Sequence, residues 1–147
     1  MKKRTKIFVS ADLHLGHREM CSICNRPSNF EEVIIDNWNR VVAPEDTVYV
    51  LGDVMFSKKS LESIGYDDKI ITKLNGTKIL VRGNHDSNNY PWYMSRGFQF
   101  ACDTFSIKYG GLSIVFSHRP LIFHDYDLNV HGHLHDLAEV KSVCRHY

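Results

Sequence analysis

The chain has 147 residues, with 18 Lys and Arg against 17 Asp and Glu for a formal charge of +1. That length suits one domain of the usual ~100–200 residues, and the near-neutral balance gives no ground to expect sequence-independent binding to long nucleic acid; Lys2-Lys3-Arg4 reads as a solubilising flank in preference to a phosphate contact. No apolar run approaches the ~20 residues of a membrane span and no leader pattern opens the chain, so we expect a single cytoplasmic domain over 1–147 with no membrane partner.

Lys6-Ile7-Phe8-Val9-Ser10 is an apolar, β-prone run that stops abruptly at Asp12, as a buried strand does at a sheet edge. An irregular stretch runs through Asn25-Arg26-Pro27. Ser28, with Glu31 three residues on, has capping-box spacing for a helix that carries Val33, Ile34, Trp38, Val41 and Val42 and closes at Pro44. Thr47-Val48-Tyr49-Val50-Leu51 is a second buried strand, ending in Gly52-Asp53. Weaker helical periodicity over 60–74 stops at Asn75-Gly76. Lys78-Ile79-Leu80-Val81 then runs into Gly83-Asn84-His85-Asp86, repeating the same grammar of strand and polar stop a third time.

Residues 91–96 read as a short helix stopped by Gly97. The segments 105–109 and 112–116 flank Gly110-Gly111 as a β-hairpin, whose second strand ends at Ser117-His118. A short strand over 127–130 leads to His131-Gly132-His133-Leu134-His135, and 139–144 offers a last one. Strand–helix alternation followed by strand-rich sequence predicts a layered α/β sandwich with mixed β-sheets flanked by helices.

Cys21 and Cys24 have the spacing of a redox pair or half a zinc site, but no second pair completes a tetrad. With Cys102 and Cys144 they read as reduced, structurally incidental thiols. Histidine is the anomaly: of nine, His14, His17, His85, His118, His131, His133 and His135 fall in or beside Gly/Asp/Asn-containing segments. Polar loops at the C-terminal ends of buried strands are where open α/β sheets build sites, so these residues can meet although they span most of the chain. Asp12-x-His14 and His133-x-His135 place paired side chains on one side of an extended segment, and a glycine before Asp53, Asn84 and His133 removes bulk where the backbone turns.

Asp12-Leu13-His14, Gly52-Asp53, Gly83-Asn84-His85-Asp86, Ser117-His118 and Gly132-His133-Leu134-His135 resemble, in order, the five blocks of the calcineurin-like metallophosphoesterase superfamily. Asp12-x-His14-x-x-His17 is similar to a compact, phage- and bacteria-associated branch. Each block alone is common; five in order, each after a predicted strand, are specific.

The resemblance implies a first metal held by Asp12, His14 and His135, Asp53 bridging to a second, and Asn84, His118 and His133 completing the second. It places His85 against the scissile phosphate as proton donor, with Asp86 orienting that imidazole or capping the following turn. His17 would approach substrate or pack against the loop, and His131 has no place in the pattern. Arg26, Arg82 and Arg119 are phosphate-contact candidates by position, or ordinary solvated or paired arginines, with Arg26 preferred.

Imidazole, carboxylate and amide ligands suit Mn²⁺, Fe²⁺, Zn²⁺ or Ni²⁺ better than Mg²⁺ or Ca²⁺, and Mn²⁺ is favoured. Two such ions would activate a bridging hydroxide and clamp an in-line displacement. After Gly52-Asp53 the chain reads Val54-Met55-Phe56-Ser57-Lys58, which departs from the Asp-Arg-Gly continuation of Ser/Thr protein phosphatases. The expected substrate is therefore a small or accessible phosphodiester or phosphomonoester, such as a nucleotide, a cyclic phosphate or a nucleic-acid end. The alternative is a catalytically silent scaffold that binds a protein partner.

Overall fold

The computed structural model describes residues 4–122 and 125–135. The strand expected over 139–144, Cys144 and the Lys2-Lys3 opening lie outside these residues.

Strands β1 (Ile7–Ser10), β2 (Thr47–Val50), β3 (Thr77–Val81) and β4 (Phe98–Cys102) form a parallel sheet in that order. Strands β5 (Thr104–Tyr109), β6 (Leu112–Ser117) and β7 (Leu128–His131) form a second sheet, antiparallel between β5 and β6 and parallel between β6 and β7. The architecture is the expected α/β sandwich, with the mixed pairing confined to the second sheet.

A sheet whose neighbours are consecutive parallel strands is crossed repeatedly in one hand, which puts the connecting helices on one face. Side-chain alternation divides the core accordingly. Val48, Val50 and Leu80 pack with Trp38, Leu61, Ile71 and Tyr93 from the connections. Leu51 and Val81 point the other way, onto Phe116 of the second sheet. There Tyr49 meets the rings of Phe105 and Phe116 edge-on at 4.9 and 5.1 Å. Each large apolar side chain so buried stabilises the fold by about 1.5–3 kcal/mol.

The connections differ from expectation in informative ways. Helix α1 (Met20–Ile23) lies in the stretch read as irregular. Helix α2 (Phe30–Val41) starts at Asn29 without a side-chain cap, and Glu31 is not half of a capping box: its carboxylate accepts the Gly16 N–H at 2.6 Å. The periodic stretch 60–74 is two elements, α3 (Lys58–Ser63) and a 3-10 helix (Asp68–Lys73), separated at Gly65 with φ +64°. Helix α4 (Tyr90–Met94) precedes β4, a strand the sequence did not reveal. Among the described residues no helix is long and apolar enough to cross a membrane.

Candidate metal centre

All seven proposed ligands sit just past strand ends: Asp12 and His14 after β1, Asp53 after β2, Asn84 after β3, His118 after β6, and His133 and His135 after β7. The two sheets present these ends together because their loops are bonded to each other. Asp12 N–H donates to Gly52 O at 3.0 Å and His14 N–H to Asp53 O at 2.9 Å, extending the β1–β2 pairing past the strands. Gly132 N–H donates to His118 O at 3.0 Å, doing the same for β6 and β7. His133 N–H donates to Asp12 Oδ2 at 2.9 Å and His118 Nδ1 to Leu51 O at 2.8 Å, joining one sheet to the other.

Asp12, His14 and His135 form one cluster. Nε2 of His14 and Nε2 of His135 face each other at 3.1 Å, and His135 Nε2 lies 3.6 Å from Asp12 Oδ1. Asp53, His118 and His133 form another, with His118 Nε2 3.1 Å from His133 Nδ1, 3.0 Å from Asn84 Oδ1 and 3.3 Å from Asp53 Oδ2. Asp53 faces both clusters, its Oδ2 also lying 3.8 Å from His14 Nε2.

Three observations fit a cation here. Asp12 Oδ1 is buried without a hydrogen-bond partner although imidazole nitrogens surround it, and an orphaned buried carboxylate oxygen is costly unless a positive charge satisfies it. Burial, reinforced by neighbouring histidines against the pull of Asp53, lowers the His14 pKa to about 3, so this imidazole keeps the lone pair a metal needs. Burial alone would raise the Asp53 pKa, but hydrogen bonds from His118 and the His85 N–H outweigh it and bring it to about 2. An anionic carboxylate thus stands beside the neutral His14 imidazole, whereas at His118 burial is outweighed by the bonds to Asp53 and to Leu51 O, which raise the pKa; carboxylate and imidazoles together form a donor set for a divalent ion.

The backbone at these positions is unusual. Non-glycine residues with positive φ are Asp12 (56°), His14 (53°), Asn25 (50°), Asp53 (51°), His133 (74°) and His135 (46°) among the described residues. Five of these six are proposed ligands, and such strain gathers where a site requires it. Convergence of Asp12 with His14, and of His133 with His135, is therefore achieved by left-handed turns rather than by the extended alternation expected from the spacing. The glycines behave as expected: a Cβ at Gly52 would overlap His118, at Gly83 Asp53, and at Gly132 Asp12 and Ala11.

His85 lies in a third cluster with His14 and Asp53. Its backbone N–H donates to Asp53 Oδ1 at 2.9 Å, and its ring sits 5.3 Å from that of His14 and 5.8 Å from Phe56. A cavity of about 520 Å³ opens over this group, lined by His14, His17, Met20, Ile23, His85 and His135 among others.

Two assignments change. Asp86 does not orient the His85 imidazole: Oδ2 accepts from Asp53 N at 2.7 Å and Gly83 N at 2.8 Å, and Oδ1 from Val54 N at 3.1 Å. Burial nevertheless raises its pKa to about 6 against those bonds. Arg26 does not reach toward substrate: it donates to Leu13 O and Asp12 O, both at 2.7 Å, and lies over the Phe30 ring.

His17, left open between substrate and packing, has both ring nitrogens occupied by His14 Nδ1 at 3.3 Å and Glu19 Oε2 at 2.9 Å, and its ring lies tilted against Phe56 with centroids 4.0 Å apart. Arg82 pairs with Asp103 at 2.7 Å and covers Tyr90, whereas exposed Arg119 lies 3.4 Å from Asn84 Oδ1. His131 Nδ1 contacts its neighbour's carbonyl, Gly132 O, at 2.9 Å. Cys21, Cys24 and Cys102 are free thiols, but Cys24 is not incidental, since its Sγ is 3.3 Å from His135 Nδ1.

The chain is 35% identical over 139 residues to an uncharacterized protein of Methanocaldococcus jannaschii, covering 88% of this chain and 69% of that one. It is 34% identical over 84 residues to the Gene 66 protein of Mycobacterium phage L5, covering 54% of this chain and 39% of the phage protein. A solved structure of a protein of unknown function from Aquifex aeolicus superposes with a TM-score of 0.66 at 29% identity, over 86% of this chain and 77% of that one. The model of the calcineurin-like phosphoesterase family matches residues 5–147, a span that takes in every loop of the candidate centre, and the chain belongs to that family.

Proposed function

We propose that the protein hydrolyses a small or accessible phosphodiester or phosphomonoester, such as a nucleotide, a cyclic phosphate or a nucleic-acid end, with two divalent cations, Mn²⁺ favoured. The observation that carries this reading is the position of Asp53, whose Oδ2 lies within 4 Å of both His14 Nε2 and His118 Nε2, one from each cluster. When bound, two cations would supply Lewis acidity toward phosphate oxygens and an acidified water as nucleophile. Asp12, His14 and His135 would hold one; Asn84, His118 and His133 the other; Asp53 both.

The chain's own groups supply the rest. His85 lines the cavity with its backbone held to Asp53 Oδ1, and its imidazole would give a proton to the departing oxygen. Phe56 backs His85 and His17 with an apolar ring. Val54 and Met55 are fully buried core residues, so the first two residues after Asp53 are committed to packing.

Metal-stripped protein reloaded with Mn²⁺ is to be assayed on bis-p-nitrophenyl phosphate and p-nitrophenyl phosphate. Turnover abolished by Asp53→Asn is the expected result. Metal uptake without turnover on either ester would leave a binding scaffold as the better reading.

A further inference from the structure

The two clusters are supported from behind in different ways. His118 and His133 are fixed by the sheets, through Leu51 O and Asp12 Oδ2. The Asp12–His14–His135 cluster shares the sheet support, through the Asp12 and His14 N–H groups, but is held in addition by one short segment, 17–26, which includes α1. His17 contacts the back of His14, Nδ1 to Nδ1 at 3.3 Å, and is itself tied to Glu19 at 2.9 Å. Cys24 Sγ contacts the back of His135 at Nδ1, 3.3 Å away. Arg26 grips the carbonyls of Asp12 and Leu13 at 2.7 Å. Three residues of one segment thus reach all three members of one cluster.

We propose that segment 17–26 is an outer clasp that orients the complete Asp12–His14–His135 ligand set, through His17, Cys24 and Arg26, and does not act on the second set. This rests on the metal-centre reading above. Among the described residues, no hydrogen bond runs from the segment to Asn84, His118 or His133.

The proton positions are mutually consistent. To offer its Nε2 lone pair toward Asp12 and His135, His14 carries its proton on Nδ1 and donates it to His17 Nδ1. His17 then carries its proton on Nε2 and donates it to the Glu19 carboxylate. By the same logic His135 presents Nε2 to the cluster and donates Nδ1–H to the Cys24 sulfur. Both imidazoles therefore have ring rotation and tautomer fixed by groups behind them, the arrangement that commonly accompanies metal-ligating histidines. His17 and Cys24 are positioning residues, acting on a bound ion only through His14 and His135.

The test is Co²⁺ titration of the metal-free protein, followed by visible absorption and by calorimetry, with turnover left aside. His135→Ala marks which binding event belongs to the first cluster. Cys24→Ala and His17→Phe, the latter keeping a ring against Phe56, are each expected to weaken that event by about 10–100-fold and leave the other within about 2-fold. Cys24→Ser, which keeps an acceptor, should recover most of the loss. Glu19→Ala serves as a second probe whose side chain is 72% exposed and bears on no core; it should weaken the same event by about 10-fold or less.

Variants that bind both ions like the parent, or that weaken the two events equally, would overturn the clasp while leaving the metal centre standing. A parent that takes up no metal would overturn both.

Discussion

The carboxylate of Asp86 accepts the backbone N–H of Asp53 at 2.7 Å, so a residue outside the ligand set fixes the residue that faces both clusters. The same carboxylate takes the N–H groups of Gly83 and Val54, sewing the loop after β2 to the loop after β3.

Asp86→Ala leaves three inward backbone donors without an acceptor. Hydrogen bonds to a charged group contribute roughly 1.5–3 kcal/mol each and an abandoned buried donor costs about 1–3 kcal/mol. We expect at least ~3 kcal/mol of lost unfolding free energy in urea denaturation, together with impaired metal retention. Asp86→Asn, which keeps one acceptor oxygen, should fall between.

His14 gives a pH signature to the metal-free protein. Its folded pKa, lowered by burial to about 3, lies below the ordinary 6.5, so between these values the unfolded chain binds the extra proton. Stability from this group is present above pH 6.5 and is lost as pH falls toward about 3. Asp86, raised to about 6, works in the opposite direction over part of that window, so the parent curve alone mixes the two. The difference between parent and His14→Asn melting temperatures, measured in EDTA, should shrink steadily as pH is lowered through that range.

Gly83→Ala tests the closeness of the loops. A Cβ at this position overlaps Asp53 Oδ1 and the Asp53 backbone nitrogen, neither of which is a flexible side-chain end free to retreat. Metal content after dialysis and turnover should both fall by at least 10-fold, a displacement of the shared carboxylate of the kind that costs about 10²-fold when reacting groups move 1 Å. Parental metal content would refute the close approach.

His85→Ala should keep metal binding and lower turnover. A positioned general acid contributes typically ~10²–10⁴-fold, and its loss matters most when the leaving group is poor. The expected pattern is a larger drop on an alkyl phosphodiester than on bis-p-nitrophenyl phosphate. Equal drops would assign His85 to ligation with His14 and Asp53, the cluster it also joins.

The parts legible in the sequence are those written locally. Apolar runs ending in Gly-Asp, Gly-Asn-His or Ser-His mark β2, β3 and β6, and the convergence of their loops follows from parallel strands having a common end. Strand β4 was hidden because its burial alternation is broken, Phe98 and Ala101 facing inward with two exposed residues between them, and because its register to β3 shifts at Lys78/Ile79. Helix α1 is only four residues, too short for periodicity to reveal.

What sequence could not assign were the partners chosen across loops. Glu31, Asp86 and Arg26 all have charges that look available, and all three bond backbone groups brought to them by tertiary structure. His17 likewise stays open between substrate contact and packing until its two nitrogens are seen to be occupied.

The left-handed backbone at Asp12, His14, Asp53, His133 and His135 sets two selection pressures against each other. Glycine would relax each position, as it is the residue that such φ values favour, but glycine carries no ligand. Each such replacement would relax the backbone and lose a donor, and at Asp12 and Asp53 it would also leave the His133 and His85 N–H groups without an acceptor. The strain at these residues therefore cannot be relieved without dismantling either the donor set or the hydrogen bonds that join the loops.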